Sequence, residues 1–224
     1  MSLKLKMLER IYTLHEQQTH SAPRVCYNGC AVCCTRNVTV TSLEAFFLLD
    51  SLKPEKRERA ISRIRSQAGE KRLIPRITIN AMAERCMNGQ DLPDEECDPS
   101  WGPCPLLENN SCTVYPFRPF ACRAMVSSEN CGPTGEAVMD EFLVTLNNVL
   151  MQYLEHMDHE NTSANMNDML MCLAGDNNLE HYRKTGRLES PPGSFLPNLK
   201  LTMLMVPREY RERIMPVLSS LQAG

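Results

Sequence analysis

Residues 26–34 read CYNGCAVCC, so Cys26, Cys30, Cys33 and Cys34 crowd four thiols into one short stretch. Thiolates packed this closely either cross-link or hold a metal. The spacing i, i+4, i+7, i+8 would put all four sulfurs on one side of any helical turn through the segment. Cys30 and Cys33 form a C-x-x-C pair, whose two sulfurs can face one ion from a single turn, and Gly29 lets the backbone enter that turn closely. We read the stretch as half of a metal site. The other half lies about seventy residues on, where CPLLENNSCTVYPFRPFACR (104–123) supplies Cys104, Cys112 and Cys122.

That second segment sits in a region unlike the rest of the chain. From Asp91 to Gly135 the prolines at 93, 99, 103, 105, 116, 119 and 133 rule out a continuous helix, so loops and short strands are expected. Irregular backbone needs an external staple, and a metal provides one. Glu108-Asn109-Asn110-Ser111 is turn chemistry that folds the chain back and brings Cys104 and Cys112 together. Arg118 and Arg123 sit among these thiols. Their charge can offset that of a thiolate centre, or they can pair with a carboxylate such as Glu44 or Asp94. Tyr115 reads as core packing.

Flanking sequence is helical. Leu3, Met7, Leu8, Ile11, Tyr12 and Leu14 predict an amphipathic helix over the first twenty residues, ending near Pro23. A short β-prone run, 37–40, leads to Thr41 and Glu44, a capping box opening a helix from Ser42 to Leu52. Pro54 begins another to about Ala68, and a fourth follows Pro75 and ends near Gly89. After Glu136, the stripe Val138, Met139, Phe142, Leu146, Val149, Leu150, Tyr153 and Leu154 predicts the principal buried helix. A helix from Ser163 to Ala174 follows. A polar loop through Asn177 and Asn178 comes next, then a terminal helix from Pro207 that Pro216 should kink or end. The expected fold is mainly α: a helical core with an irregular Cys/Pro-rich metal-binding segment and at most a short β-hairpin. Residues 1–135 would form the cysteine-cluster region with its N-terminal helices, and 136–224 a helical region packed on it in one compact unit.

Composition narrows the function. With 24 Lys and Arg against 27 Asp and Glu, a net charge of −3 offers no footprint for nucleic acid. Lys56, Arg57, Arg59, Arg63 and Arg65 alternate with acids and read as a solvated face. No apolar run approaches a membrane span, and MSLKLKMLERIY lacks the apolar core of a secretory signal, so the chain is expected in the cytoplasm with no membrane partner. A reducing cytosol favours metal ligation over disulfides, and eleven cysteines leave at least one unpaired. Cys86, Cys97 and Cys131 read as ordinary semi-buried thiols, with ligands of a second metal site the alternative, and Cys172 reads as packing. His156 and His159, beside Glu155 and Asp158, read as a solvated helix end. Met139, Met166, Met169 and Met203 read as core filler. No P-loop, dinucleotide glycine fingerprint or Gly-x-Ser-x-Gly elbow occurs, and no catalytic residue emerges.

The pattern C-x3-C-x2-CC, then CP-x-L, then Cys112-x-x-Tyr115-x-x-Arg118-Pro119-x-x-Cys122-Arg123, resembles the CxxCxxCC cysteine-cluster proteins, zinc- or iron-chelating domains. The first gap has three residues where that family has two. The resemblance implies that Cys30, Cys33, Cys34, Cys104, Cys112 and Cys122 are metal ligands, with Cys26 a further candidate, and that the partner is a metal ion: zinc or iron, the latter including a [4Fe-4S] cluster. Three competing functions follow: a metal-chelating protein, an iron-sulfur enzyme transferring a methyl group or electrons, and a structural zinc module that binds another protein. C-x3-C-x2-C is also the spacing of radical S-adenosylmethionine enzymes. However, Val32 stands where those carry an aromatic residue, and no β/α alternation follows. Flagellin lysine methylases are similar in the cysteine motif.

Overall fold

The computed structural model describes residues 1–20, 24–132, 135–175 and 177–222. Pro23, the expected stop of the first helix, and Pro133 lie outside the described residues. The fold is mainly α, with nine α-helices among the described residues and only small antiparallel sheets.

Helix α1 (Ser2–His20) buries Leu8, Ile11, Tyr12 and Leu14 on the predicted face. Strand β1 (Thr39–Thr41) runs into α2 (Ser42–Ser51), and Thr41 and Glu44 form the capping box. Pro54 opens α3 (Pro54–Ser66), and Thr78 caps α4 (Ile79–Met87). Between 91 and 132 the backbone is loops and single turns, relieved by the hairpin β2 (Leu107–Glu108) and β3 (Ser111–Cys112) and by α5 (Phe120–Ala124). Helix α6 (Glu141–Met157) is capped by the Asp140 carboxylate, which accepts from the Phe142 and Leu143 amides. It is the long buried helix anticipated. Val138 nevertheless precedes it and is exposed, because the cap starts the helix two residues later.

Four expectations need correction. Residues 24–34 are not helical: two consecutive turns, closed by Cys30 N–H to Tyr27 O at 3.1 Å and Cys34 N–H to Ala31 O at 3.0 Å, carry Cys30, Cys33 and Cys34, with Cys26 just before the first. Residues 162–165 are strand β4 (Thr162–Asn165), which pairs with both β1 and β5 (Leu196–Pro197), so α7 (Met166–Ala174) begins later than Ser163. Asn178 opens a helix, α8 (Asn178–Thr185), rather than a loop, with Asn177 left-handed before it and Gly186 left-handed after it. Helix α9 (Arg211–Gln222) continues past Pro216, so the proline does not end it. Ile214, Val217, Leu218 and Leu221 are all buried, and their packing outweighs the lost backbone bond.

The core has two hydrophobic clusters. One gathers α2, α3, α7 and Tyr182 of α8, with Cys104, Cys112 and Phe117 packed at its edge. The other gathers α1, α6 and α9 with Phe120 and Ala124 of α5. The cysteine-bearing segment therefore borders both. The acids beside His156 and His159 belong to the interior and not to a solvated end. Asp158 accepts from Ser42 Oγ, Leu43 N–H, Asn161 and Tyr182, while Glu155 accepts from the Asn80 and Leu199 amides. Among the described residues no helix is long and apolar enough to cross a membrane.

Candidate metal centre

The two cysteine segments are joined at the backbone. Cys104 N–H donates to Cys34 O at 2.9 Å, Thr35 and Pro103 form a bridge, and Arg36 N–H donates to Gly102 O. Arg36 reinforces this junction, because its guanidinium donates to Trp101 O at 2.8 Å and to Gln67 and Glu70. Gly102 is in the left-handed region, and a Cβ there would lie 3.1 Å from the Arg36 Cζ, so a glycine is required for this close approach.

Three further devices position the second segment. Asn109 and Asn110 both have positive φ and make the two-residue turn that sets Leu107 opposite Cys112. Arg63 reaches from α3 to the Pro105 carbonyl at 2.7 Å, and also to the Leu107 carbonyl and the Glu108 carboxylate. It is a clamp and not part of a solvated face. Arg57 likewise donates to the Leu49 and Leu52 carbonyls. Glu44, besides capping α2, accepts from Phe120 N–H at 2.7 Å and from Tyr12 Oη at 3.2 Å, fixing the start of α5 and hence Cys122.

Arg118 and Arg123 pair with no carboxylate among the described residues; Glu44 and Asp94 are not their partners. Arg118 lies 3.7 Å over the Tyr115 ring and donates to Tyr115 O. Arg123 lies 4.2 Å over Tyr12 and donates to the Arg118 and Pro116 carbonyls. The Arg-Pro-x-x-Cys-Arg run is thereby a self-locked turn that delivers Cys122. Tyr115 is half-buried as the platform for Arg118.

All seven candidate cysteines, Cys26, Cys30, Cys33, Cys34, Cys104, Cys112 and Cys122, line one cavity with an enclosed volume of about 110 Å³. Arg24, Tyr115, Arg118, Arg123, Met125, Val126 and Met166 complete its wall. Cys86 and Cys97 are exposed elsewhere, Cys172 sits on α7 beside the first cluster, and Cys131 is buried. All eleven cysteines are free thiols.

Burial pushes the Cys104 thiol up to about 11, with Cys112 adding to the effect. It pushes Cys122 higher still, reinforced by Cys104, Cys112 and Cys33. Cys26 and Cys112 are raised for the same reason. Cys33 and Cys34 share a thiol–thiol hydrogen bond that holds Cys33 below the usual range and Cys34 above it. Burial thus keeps Cys26, Cys104, Cys112 and Cys122 protonated, whereas Cys33 ionises more readily than a free thiol. Among the described residues no three Cys, His, Asp or Glu side chains are gathered tightly around one point. The fit is therefore one of donor chemistry and shared enclosure.

A family model described as "CxxCxxCC: Putative zinc- or iron-chelating domain" matches residues 25–149, which include every cysteine of the cavity. Neither the curated proteins nor the solved structures give a match.

Proposed function

Because the chain belongs to the CxxCxxCC family, we propose that it is a metal-chelating protein whose cavity thiols bind zinc or iron. The supporting observation is the backbone junction of Cys34 with Cys104, which draws sulfurs from two distant segments onto one cavity wall. Cys26, Cys30, Cys33, Cys34, Cys104, Cys112 and Cys122 are the ligand pool. Thiolate donors suit zinc and iron-sulfur centres alike. Cysteine χ1 rotation then completes convergence on backbone already in place. Arg24, Arg118 and Arg123 offset the negative charge that bound thiolates retain.

One second reading rests on the lining: Met125, Val126 and Met166 set apolar wall beside the thiols. An organic substrate could rest against an iron-sulfur centre there, with the arginines orienting an anionic group. When bound, such a centre supplies electron transfer; the chain supplies enclosure and charge.

Anaerobic purification with elemental analysis and a visible spectrum tests both. Zinc in a colourless protein supports chelation, and iron with acid-labile sulfide and a brown colour supports the enzyme. Protein that takes up neither metal overturns both.

A further inference from the structure

The cavity carries charge of one sign. Arg24, Arg118 and Arg123 line it, and among the described residues no Asp, Glu, Lys or His does, in a chain whose net charge is −3. Away from the cavity, Arg36, Arg63, Arg72, Arg183 and Arg187 each lie against a carboxylate. The three cavity arginines pair with none among the described residues. Bound thiolates account for part of this positive charge. One divalent ion on four thiolates retains two negative charges, which leaves one of the three arginines unmatched.

Two of these guanidinium groups are held in place by the protein itself. Arg118 Nη1 donates to Tyr115 O at 2.9 Å, with the group stacked 3.7 Å over the Tyr115 ring. Arg123 donates through Nε to Arg118 O at 2.9 Å and through Nη2 to Pro116 O at 2.6 Å. A guanidinium has five N–H donors, so these bonds leave others over. Among the described residues no acceptor takes Nε or Nη2 of Arg118, or Nη1 of Arg123. Donors oriented before a ligand arrives lose little freedom when it binds. Beside them the lining is apolar at Met125 and Val126, and the Tyr27 ring is exposed. An enclosed volume of about 110 Å³ suits a headgroup and not a large molecule.

We propose that Arg118 and Arg123, with Arg24 on the same lining, bind the oxyanion, carboxylate or phosphate, of a small organic ligand whose apolar body rests on Tyr27, Met125 and Val126. The planar arginine fork matches the paired oxygens of such groups. This rests on the reading of the cavity as a substrate site and gives that substrate its chemical class.

The test is titration of the full chain, purified anaerobically into buffer free of phosphate and carboxylate, with benzoate, phenyl phosphate and neutral benzamide. Calorimetry and the NMR shifts of the arginine Nε–H groups report binding. Both anions should saturate the site and benzamide should not, the tighter anion identifying the headgroup. Arg118→Gln should weaken anion binding about tenfold or more, and Arg118→Lys, which keeps the charge but not the fork, by less. Arg24→Gln, at an exposed position outside the turn, should weaken it as well, which guards against distortion of the turn in the Arg118 variants. Benzamide binding as tightly as benzoate, or wild-type affinity in Arg118→Gln, would overturn the oxyanion subsite. Elemental analysis of the same samples separates this from the metal site. Metal uptake without anion binding would overturn the subsite and leave chelation standing, whereas a wild type that takes up neither would remove the reading of the cavity itself.

Discussion

His15 shows how much one buried side chain can set the response to pH. Its Nε2 meets Asn147 Oδ1 at 3.0 Å, its ring sits 4.9 Å from Phe120, and it is 3% exposed. Burial lowers its pKa from 6.5 to about 4, so the folded protein keeps it neutral where the unfolded chain would bind a proton. Stability contributed by neutral His15 is present above pH 6.5 and is lost as pH falls toward 4, up to about 3 kcal/mol. Asp158 works in the opposite direction. Burial raises it to about 6, so its contribution is greatest at low pH and is lost as pH rises through that value. The wild-type curve therefore mixes two opposing slopes, and a difference is needed. His15→Gln should be less stable than wild type by roughly 1–2 kcal/mol at pH 7, from lost ring packing. That deficit should shrink or reverse at pH 4.5 in urea melts, and a deficit independent of pH would refute the assignment. Neither group announced itself in the sequence. His15 lies on the apolar face of α1, and Asp158 was masked by the charged residues around it. Burial of a charge depends on distant segments.

At the scale of elements, the most exacting part is the hairpin β2–β3, held from outside by Arg63 across two carbonyls and a carboxylate. An arginine fork can span those acceptors and a lysine ammonium cannot. Arg63→Lys should therefore loosen residues 104–113 with little loss of global stability, about 1 kcal/mol. Hydrogen exchange should show the Thr113 amide, bonded to Leu106 O, exchanging faster while α6 is unchanged. Equal protection in both proteins would remove Arg63 from its positioning role. The hairpin turn was legible because Asn109-Asn110 carries local chemistry that accepts positive φ. The helix starts at Thr41, a capping box, and at Pro54, a first-turn proline, were legible because each is likewise set by local chemistry. The sheet β1-β4-β5 was not, since its strands come from residues 39–41, 162–165 and 196–197, and pairing across such separations leaves no local pattern. Helix α8 was hidden by a polar sequence whose one fully buried side chain is Tyr182. At 26–34 the i, i+4, i+7, i+8 arithmetic anticipated four cysteines on one side, and the structure sets them on one cavity wall through turns instead of a helix. Tandem turns bring them to one wall as well as a helix would.

Over the whole molecule, the two hydrophobic clusters are built mainly by helices outside the cysteine segments, which add Leu106 and Val114 to one and Phe120 and Ala124 to the other. Leu146, Val149 and Leu150 of α6 and Met169, Leu170 and Leu173 of α7 are fully buried. By contrast, most of residues 91–104 are exposed. A metal bound at the cavity would therefore contribute its folding energy locally. Small zinc modules gain about 10–16 kcal/mol from the ion because they have no other core, and the effect on global stability here should be well below that. Withdrawing metal with a chelator under reducing conditions should lower the thermal midpoint modestly. It should also open residues 24–36 and 99–104 to hydrogen exchange and proteolysis, leaving α6 and α7 protected. The contrast between those segments and the two helices is the measurement that matters. Uniform loss of protection would mean that the metal holds the entire fold, and no change anywhere would mean that the thiols bind no structural ion. The locality follows from topology. Cys34 and Cys104 meet at a short backbone junction on the margin of a core built mainly by other helices, so the junction can open while α6 and α7 stay packed.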